Sequence, residues 1–255
     1  MKKMNAFNVN KDTTHDFISW LQQGCANEGV LELFHGSNYT IQKPDFNFNN
    51  TDNDYGKGFY TTPYRNRAEE WSWLFGDEKA KHICNSYLLD LSGLKIINLD
   101  TFGPLAWIAE IAYNRGVRVQ KQIIDKFISM YKIDTSDADI ICGYRADDSY
   151  SEVIQYFFEG KLNIEEVKRL FYKGNLGEQV LIKSELAFNK LTFSEDILVE
   201  NCDVSYDSLA RREVSKFLQN RDLAILMQGY NVQGMTLQAV LSYKYNYNKE
   251  GCYYE

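Results

Sequence analysis

Between Leu31 and Phe75 the chain alternates short strand-like runs with glycine-bearing breaks and then passes directly into a helical pattern. Leu31-Glu32-Leu33-Phe34-His35 has the two-residue alternation of a strand and stops at Gly36-Ser37, a turn signal. A polar loop rich in Asn and Asp, Asn47 to Asp54, leads into Gly56-Lys57-Gly58-Phe59-Tyr60-Thr61-Thr62, where glycine freedom meets aromatic and β-branched strand formers. From Asn66 to Phe75 the apolar positions Ala68, Trp71 and Leu74 recur at helical spacing. Strand, loop, strand, helix in such short pieces predicts an α+β fold with small sheets and helices packed around them.

The remaining segments extend that pattern. Tyr87 to Leu91 and Lys95 to Leu99 read as short strands, and Pro104 opens a helix through Asn114. Gln120 to Tyr131 reads as another helix, and Ala138 to Cys142 is a short apolar segment. Asn163 caps a helix to Tyr172 with Glu165 and Glu166 in its first turn and Lys168 and Arg169 later, the charge order a helix dipole favours. Val180-Leu181-Ile182 reads as a buried strand. At 255 residues this fits one enlarged core with decorations. The expected divisions are an N-terminal helical extension, 1–28, carrying a short amphipathic helix from Thr14 to Gln23, a main domain, 29–200, and a C-terminal extension, 201–255, packed on the same core. No internal repeat or linker interrupts it.

The net charge of −7 removes the electrostatic drive for indiscriminate nucleic-acid binding, although a local basic groove is compatible with it. The five cysteines form no C-x-x-C pair, and His15, His35 and His82 make no ligand pattern, so no metal site is expected. Reduced thiols, a polar stretch after Met1-Lys2-Lys3 and no apolar window of roughly 20 residues predict a cytoplasmic protein, or one delivered into a target cell, without membrane partners.

Taken singly, His35 beside a turn, Tyr60 in a strand and Gly56 and Gly58 in a loop are ordinary structural residues. Together, Phe34-His35-Gly36-Ser37 and Gly56-Lys57-Gly58-Phe59-Tyr60 resemble the first two signatures of the diphtheria-toxin-like and poly-ADP-ribose-polymerase-like branch of ADP-ribosyltransferases. The stretch from about Leu31 to Phe193 also resembles a bacterial family of unknown function placed in that superfamily. The further matching pieces are Ala146-Asp147-Asp148 and Glu178-Gln179-Val180-Leu181-Ile182, followed by Leu191-Thr192-Phe193.

The resemblance implies the ADP-ribosyltransferase fold, two small antiparallel sheets holding NAD as co-substrate in a split cleft. It implies that the Gly36 main chain clamps the nicotinamide carboxamide with help from Ser37, and that His35 reaches a ribose hydroxyl. It places Tyr60 in a stack on the nicotinamide ring, with Gly58 and Thr61 beside it. Trp71, on the following helix, forms part of the opposite wall or packs in the core. Lys57 contacts a phosphate or is solvated. His35 and Tyr60 are expected on adjacent central strands.

Cleavage of the nicotinamide–ribose bond passes through an oxocarbenium-like state that a preorganised acceptor on the ribose hydroxyl stabilises. Active members of the superfamily hold a Glu there. In this chain Glu178 and Gln179 compete for the place, and adjacent strand residues face opposite ways, so one of the two faces the sugar. The preferred register selects Gln179, with a carboxylate such as Asp147 or Asp148 drawn from elsewhere; for that Asp pair a capping role before a helix starting near Ser151 is the alternative.

What the resemblance implies is a mono-ADP-ribosyltransferase acting on a macromolecule, protein rather than nucleic acid. The setting would be a bacterial toxin or phage-defence effector, with an antitoxin or immunity protein as partner. The alternatives are an NAD glycohydrolase and a non-catalytic module binding NAD, ADP-ribose or a protein.

Overall fold

The computed structural model describes residues 21, 29–47, 53–74, 80–146, 148–171, 177–202, 215–220, 222 and 235–242. Helix Thr14 to Gln23, the centre of the polar loop, Asp147 and the Tyr-rich end of the chain lie almost wholly outside these residues.

The fold is α+β, with a sheet of three strands and a sheet of four. The first sheet has the order β1 (Val30–Ser37), β3 (Ile83–Asp90), β7 (Leu191–Leu198), and both pairings are antiparallel. The second has the order β2 (Phe59–Thr61), β6 (Glu178–Ile182), β5 (Ile140–Tyr144), β4 (Ile96–Asn98). Its β4–β5 pair is parallel, so this sheet is mixed, not antiparallel throughout as expected. A parallel pair needs a long crossover. Helices α2 (Pro104–Arg115) and α3 (Lys121–Tyr131) supply it, entered through a 3-10 turn, Leu99–Phe102.

β1 also runs further than its sequence suggests. Gly36 and Ser37 continue the ladder opposite Cys84 and Ile83 instead of turning. Glycine is needed there for packing, because a Cβ at 36 would drive into the Ala68 carbonyl and lie 2.6 Å from the Ser72 nitrogen of helix α1 (Arg65–Leu74). That helix buries Arg67, Ala68, Glu70 and Ser72, so the face toward the sheet is not the Ala68-Trp71-Leu74 stripe. Arg67 is tolerated inside because its Nη1 donates to both Glu70 oxygens, at 3.0 and 2.9 Å.

The two faces of the second sheet divide the core. Ile140, Cys142, Val180 and Ile182 meet Leu31, Leu33 and Leu89 of the first sheet. Ile141 and Leu181 point the other way, into a larger cluster with Trp107, Phe127, Phe157 and Val167. With side chains alternating along each strand, one sheet thus supplies both layers, and each large side chain so buried contributes roughly 1.5–3 kcal/mol. The helical layer comprises α2, α3, α4 (Asp148–Phe158) and α5 (Ile164–Phe171). α5 opens with a reciprocal cap: the Glu166 amide donates to Asn163 Oδ1 at 3.0 Å, and the Asn163 amide donates to Glu166 Oε2 at 2.9 Å. α6 (Glu185–Asn189) turns the chain from β6 into β7.

From the C-terminal extension, α7 (Leu237–Ser242) buries Leu237 and Val240 in the larger cluster, where the Tyr131 hydroxyl donates to the Val240 carbonyl. Leu21 reaches the cluster between the sheets. No helix among the described residues is long and apolar enough to cross a membrane.

Candidate functional site

Besides the apolar packing between their faces, the two sheets are joined, among the described residues, by one isolated backbone bridge. The Phe34 amide donates to the Thr62 carbonyl at 2.8 Å and the Thr62 amide to the Phe34 carbonyl at 2.9 Å, joining the ends of β1 and β2. These are the edge strands of their sheets, so His35 and Tyr60 lie on adjacent strands but not on central ones. Over this seam opens a cavity of about 550 Å³. Its lining joins β1, the segment Asn53–Thr62, α1, the end of α2, the β5–α4 connection and β6.

His35 and Tyr60 are locked together. His35 Nδ1 lies 2.7 Å from the Tyr60 carbonyl oxygen. A carbonyl only accepts, so Nδ1 carries the proton. Burial lowers the His35 pKa against the opposing pull of that hydrogen bond, which favours the neutral ring. In that tautomer Nε2 is an acceptor. The Tyr60 hydroxyl is committed at the far end of its ring, donating to the Gly56 carbonyl at 2.8 Å and accepting from the Tyr55 amide at 2.9 Å. Burial also pushes its pKa far up, so the phenol stays neutral. Tyr60 lines the cavity while its side chain also packs on the larger core cluster, and the ring of neighbouring Phe59 is 4.6 Å from that of His35. Gly58 lets the loop descend onto β6, since a Cβ there would strike the Ile182 carbonyl.

β6 brings Gln179 to the same cavity and turns Glu178 away from it. Gln179 is among the lining residues and donates from Nε2 to Asp54 Oδ2 at 2.7 Å. Glu178, buried, accepts from the Tyr64 hydroxyl. Neighbouring residues thus meet different partners, as strand alternation requires.

Asp54 is a residue the sequence did not single out. It is 3% exposed, and four residues from three segments converge on it. Arg115 Nε lies 2.7 Å from Oδ1, the Ala146 amide donates to Oδ2 at 3.1 Å, Gln179 takes the same oxygen, and Asn114 Nδ2 donates to the Asp54 carbonyl at 3.0 Å. Burial raises the carboxyl's pKa, and Arg115, then Gln179 and the Ala146 amide, work against that rise. Arg115 is the last residue of α2. Gly116, at φ 73°, stops the helix there and leaves the guanidinium at the cavity.

Cations crowd this cavity in a chain of net negative charge: Lys43, Arg67, Arg115 and Arg145 all line it. The Arg145 guanidinium lies 4.3 Å over the Trp71 ring, so Trp71 joins the wall as a platform for a cation. Such a lining suits a ligand that combines planar rings with anionic groups.

The other expected site residues are distributed as follows. Gly36 and Thr61 belong to the lining, although the Thr61 hydroxyl donates to the Val180 carbonyl at 2.8 Å. Ser37 stands outside it, its hydroxyl donating to the Tyr39 carbonyl and accepting from Asn85 Nδ2 at 3.1 Å. Asp148 begins α4, three residues before the expected start near Ser151, and its side chain, like all of Asp147, lies outside the described residues. Lys57 is not in the lining; its Nζ sits 5.3 Å from the Phe46 ring centre. Among the described residues no group of three or more His, Cys, Asp or Glu side chains is placed to hold a metal.

Neither curated proteins nor solved structures give a match to this chain. Residues 31–193, which hold His35, Asp54, Tyr60, Arg115, Arg145 and Gln179, match the family described as "Protein of unknown function (DUF3990)", and the chain belongs to that family.

Proposed function

We propose that this protein is a mono-ADP-ribosyltransferase that moves ADP-ribose from NAD to a macromolecular acceptor. The observation that carries the reading is the convergence of His35, Tyr60 and Gln179, from three strands, on one cavity that four cations also line. A neutral His35 with Nε2 as acceptor suits a ribose hydroxyl. The Tyr60 ring suits the nicotinamide face, and the arginines suit a pyrophosphate. Two small sheets meeting at a cleft agree with the ADP-ribosyltransferase fold that the motifs resemble.

In the proposed reaction the bond between the ribose C1′ and the nicotinamide nitrogen breaks, and nicotinamide leaves with the electron pair. A nucleophile of the acceptor then bonds to C1′ and loses its proton. Gln179 accepts from a ribose hydroxyl as positive charge develops on the sugar. The net charge of −7 favours a protein acceptor over a nucleic acid. A toxin or phage-defence effector, acting in a cytoplasm and restrained by an antitoxin or immunity protein, is the setting this activity implies.

Incubation of the purified protein with NAD labelled in the adenylate half, with and without cell lysate, tests the reading. Transfer of label to protein, with stoichiometric release of nicotinamide, supports it. Free ADP-ribose as sole product replaces it with NAD hydrolysis, and absence of nicotinamide release under every condition leaves a binding module. Tyr60→Ala is expected to lower release at least about a hundredfold, from the loss of ring positioning. Full activity in that folded variant rules out the assignment of the pocket.

A further inference from the structure

Gln179 stands where a transferase of the proposed kind needs an acceptor, yet a carboxamide has two unlike ends. The nitrogen only donates and the oxygen only accepts, so a side chain free to flip would offer a ribose hydroxyl the wrong end part of the time. The surroundings decide the orientation. Gln179 Nε2 meets Asp54 Oδ2 at 2.7 Å, deep in the protein. Oδ2 already accepts from the Ala146 amide and Oδ1 faces the Arg115 guanidinium, so this carboxylate is placed to accept and the amide end beside it must be the nitrogen.

Asp54 is itself held from both sides. Arg115 Nε lies at 2.7 Å from Oδ1, and the Ala146 amide donates to Oδ2 at 3.1 Å. The carboxylate therefore cannot rotate away without giving up its contact with Arg115 and leaving the Ala146 amide poorly satisfied.

We infer that Asp54 is the positioning residue of this site: by holding the Gln179 nitrogen, it fixes the carbonyl oxygen as the end presented to the ligand and polarises it. The inference rests on the NAD-cleaving function proposed above. A hydrogen bond from an amide N–H to an anion draws electron density toward the amide oxygen, because linked hydrogen bonds strengthen one another in a low-dielectric site. The pair Asp54–Gln179 then does in two residues what one glutamate does alone, with the negative charge set one side chain further from the sugar and steadied by Arg115.

Exchanging the two groups tests this. Asp54→Asn, Gln179→Glu and the double variant are compared with wild type in nicotinamide release from NAD, with folding checked by thermal melting. Asp54→Asn is expected to lower kcat by about tenfold to a hundredfold while KM changes less than about threefold, the pattern of an interaction made in the transition state. Gln179→Glu alone sets two carboxylates against each other at hydrogen-bonding distance and also loses activity. The double variant, with amide and carboxylate exchanged, recovers at least about tenfold over the weaker single variant, a coupling that independent residues do not show.

Additive losses in the double variant overturn the inference. So does a gain over wild type in Gln179→Glu, which needs no folded Asp54 variant to be seen. A readout independent of turnover is the side-chain NH₂ signal of Gln179 in a 15N-labelled sample, assigned by its loss in Gln179→Glu. Its shift in Asp54→Asn supports the inference, and an unchanged signal overturns it. Absence of nicotinamide release in wild type, with that shift present, removes the proposed function and leaves the Asp54–Gln179 pairing standing.

Discussion

The two faces of β6 carry side chains of nearly the same size and very different consequence. On one face Gln179 reaches the cavity and binds a carboxylate from a distant loop, while on the other Glu178 is closed into the interior against the Tyr64 hydroxyl. The charged residue, the one chemical intuition selects for catalysis, is the one turned away from the cavity. Position on the strand outranks intrinsic reactivity, because a group that cannot touch the ligand contributes only to the frame.

Substitutions on the two faces should therefore separate activity from stability. The largest effect is expected on the cavity face: Gln179→Ala lowers the rate of nicotinamide release by about 10²–10³, the range for removal of one preorganised polar partner. Its melting midpoint should move less than that of the corresponding change at 178. A Gln179→Ala variant that keeps wild-type turnover would break the comparison.

On the opposite face, Glu178→Ala leaves the Tyr64 hydroxyl without its carboxylate partner and opens a void at a 3% exposed position. A cost of about 2–3 kcal/mol is expected, which calorimetry should read as a fall of several degrees in Tm. Nicotinamide release at a temperature where the variant is folded should stay within about tenfold of wild type.

Asp100 sharpens the same contrast with a smaller effect. It approaches the strand next to β6, accepting at Oδ1 from the amide of Tyr144, which pairs with Glu178. Its Oδ2 is sealed from solvent without a hydrogen-bond donor. Burial pushes its pKa from 3.8 up to about 6, against the pull of the Tyr144 amide. Between those values the folded chain keeps a proton that the unfolded chain releases, so stability falls as pH rises through that window and is level above it. Asp100→Asn keeps the Oδ1 acceptor and removes the charge. It should match wild type near pH 4 and exceed it by about 2 kcal/mol at pH 7, measured by urea unfolding at both. A constant difference across pH would show that burial of this charge is not what costs stability.

The strand and helix pattern was largely legible from local spacing. Pro104 marked the start of α2, Asn163 the cap of α5, and Val180-Leu181-Ile182 the buried part of β6. The motif glycines also stood out, but the physical requirement at Gly36 is the approach of α1, which no local pattern reveals. Ser37 looked like part of the pocket because it follows Gly36, yet alternation and Asn85 turn its hydroxyl to the neighbouring loop. Asp54 was invisible for the opposite reason. In a run of Asn and Asp a carboxylate reads as solvated, and its burial is created by Asn114, Ala146 and Gln179, which lie 60, 92 and 125 residues away. Arg115 and Arg145 are hidden in the same way: a helix-end arginine and a loop arginine acquire a role only when the fold aims both at one cavity.

The bridge between Phe34 and Thr62 has a further meaning for the chain outside its chemistry. Among the described residues each sheet ends on one side in an edge strand, β1 in one case and β2 in the other, and open edges invite pairing with other molecules. At the seam these two edges cap each other, and His35 extends the cap with its hydrogen bond to the Tyr60 carbonyl. The place where a ligand would be gripped is also the place where the two sheets share backbone hydrogen bonds. Any change that widens the cleft to admit a larger ligand would therefore pull on these hydrogen bonds and expose strand backbone at the same few atoms.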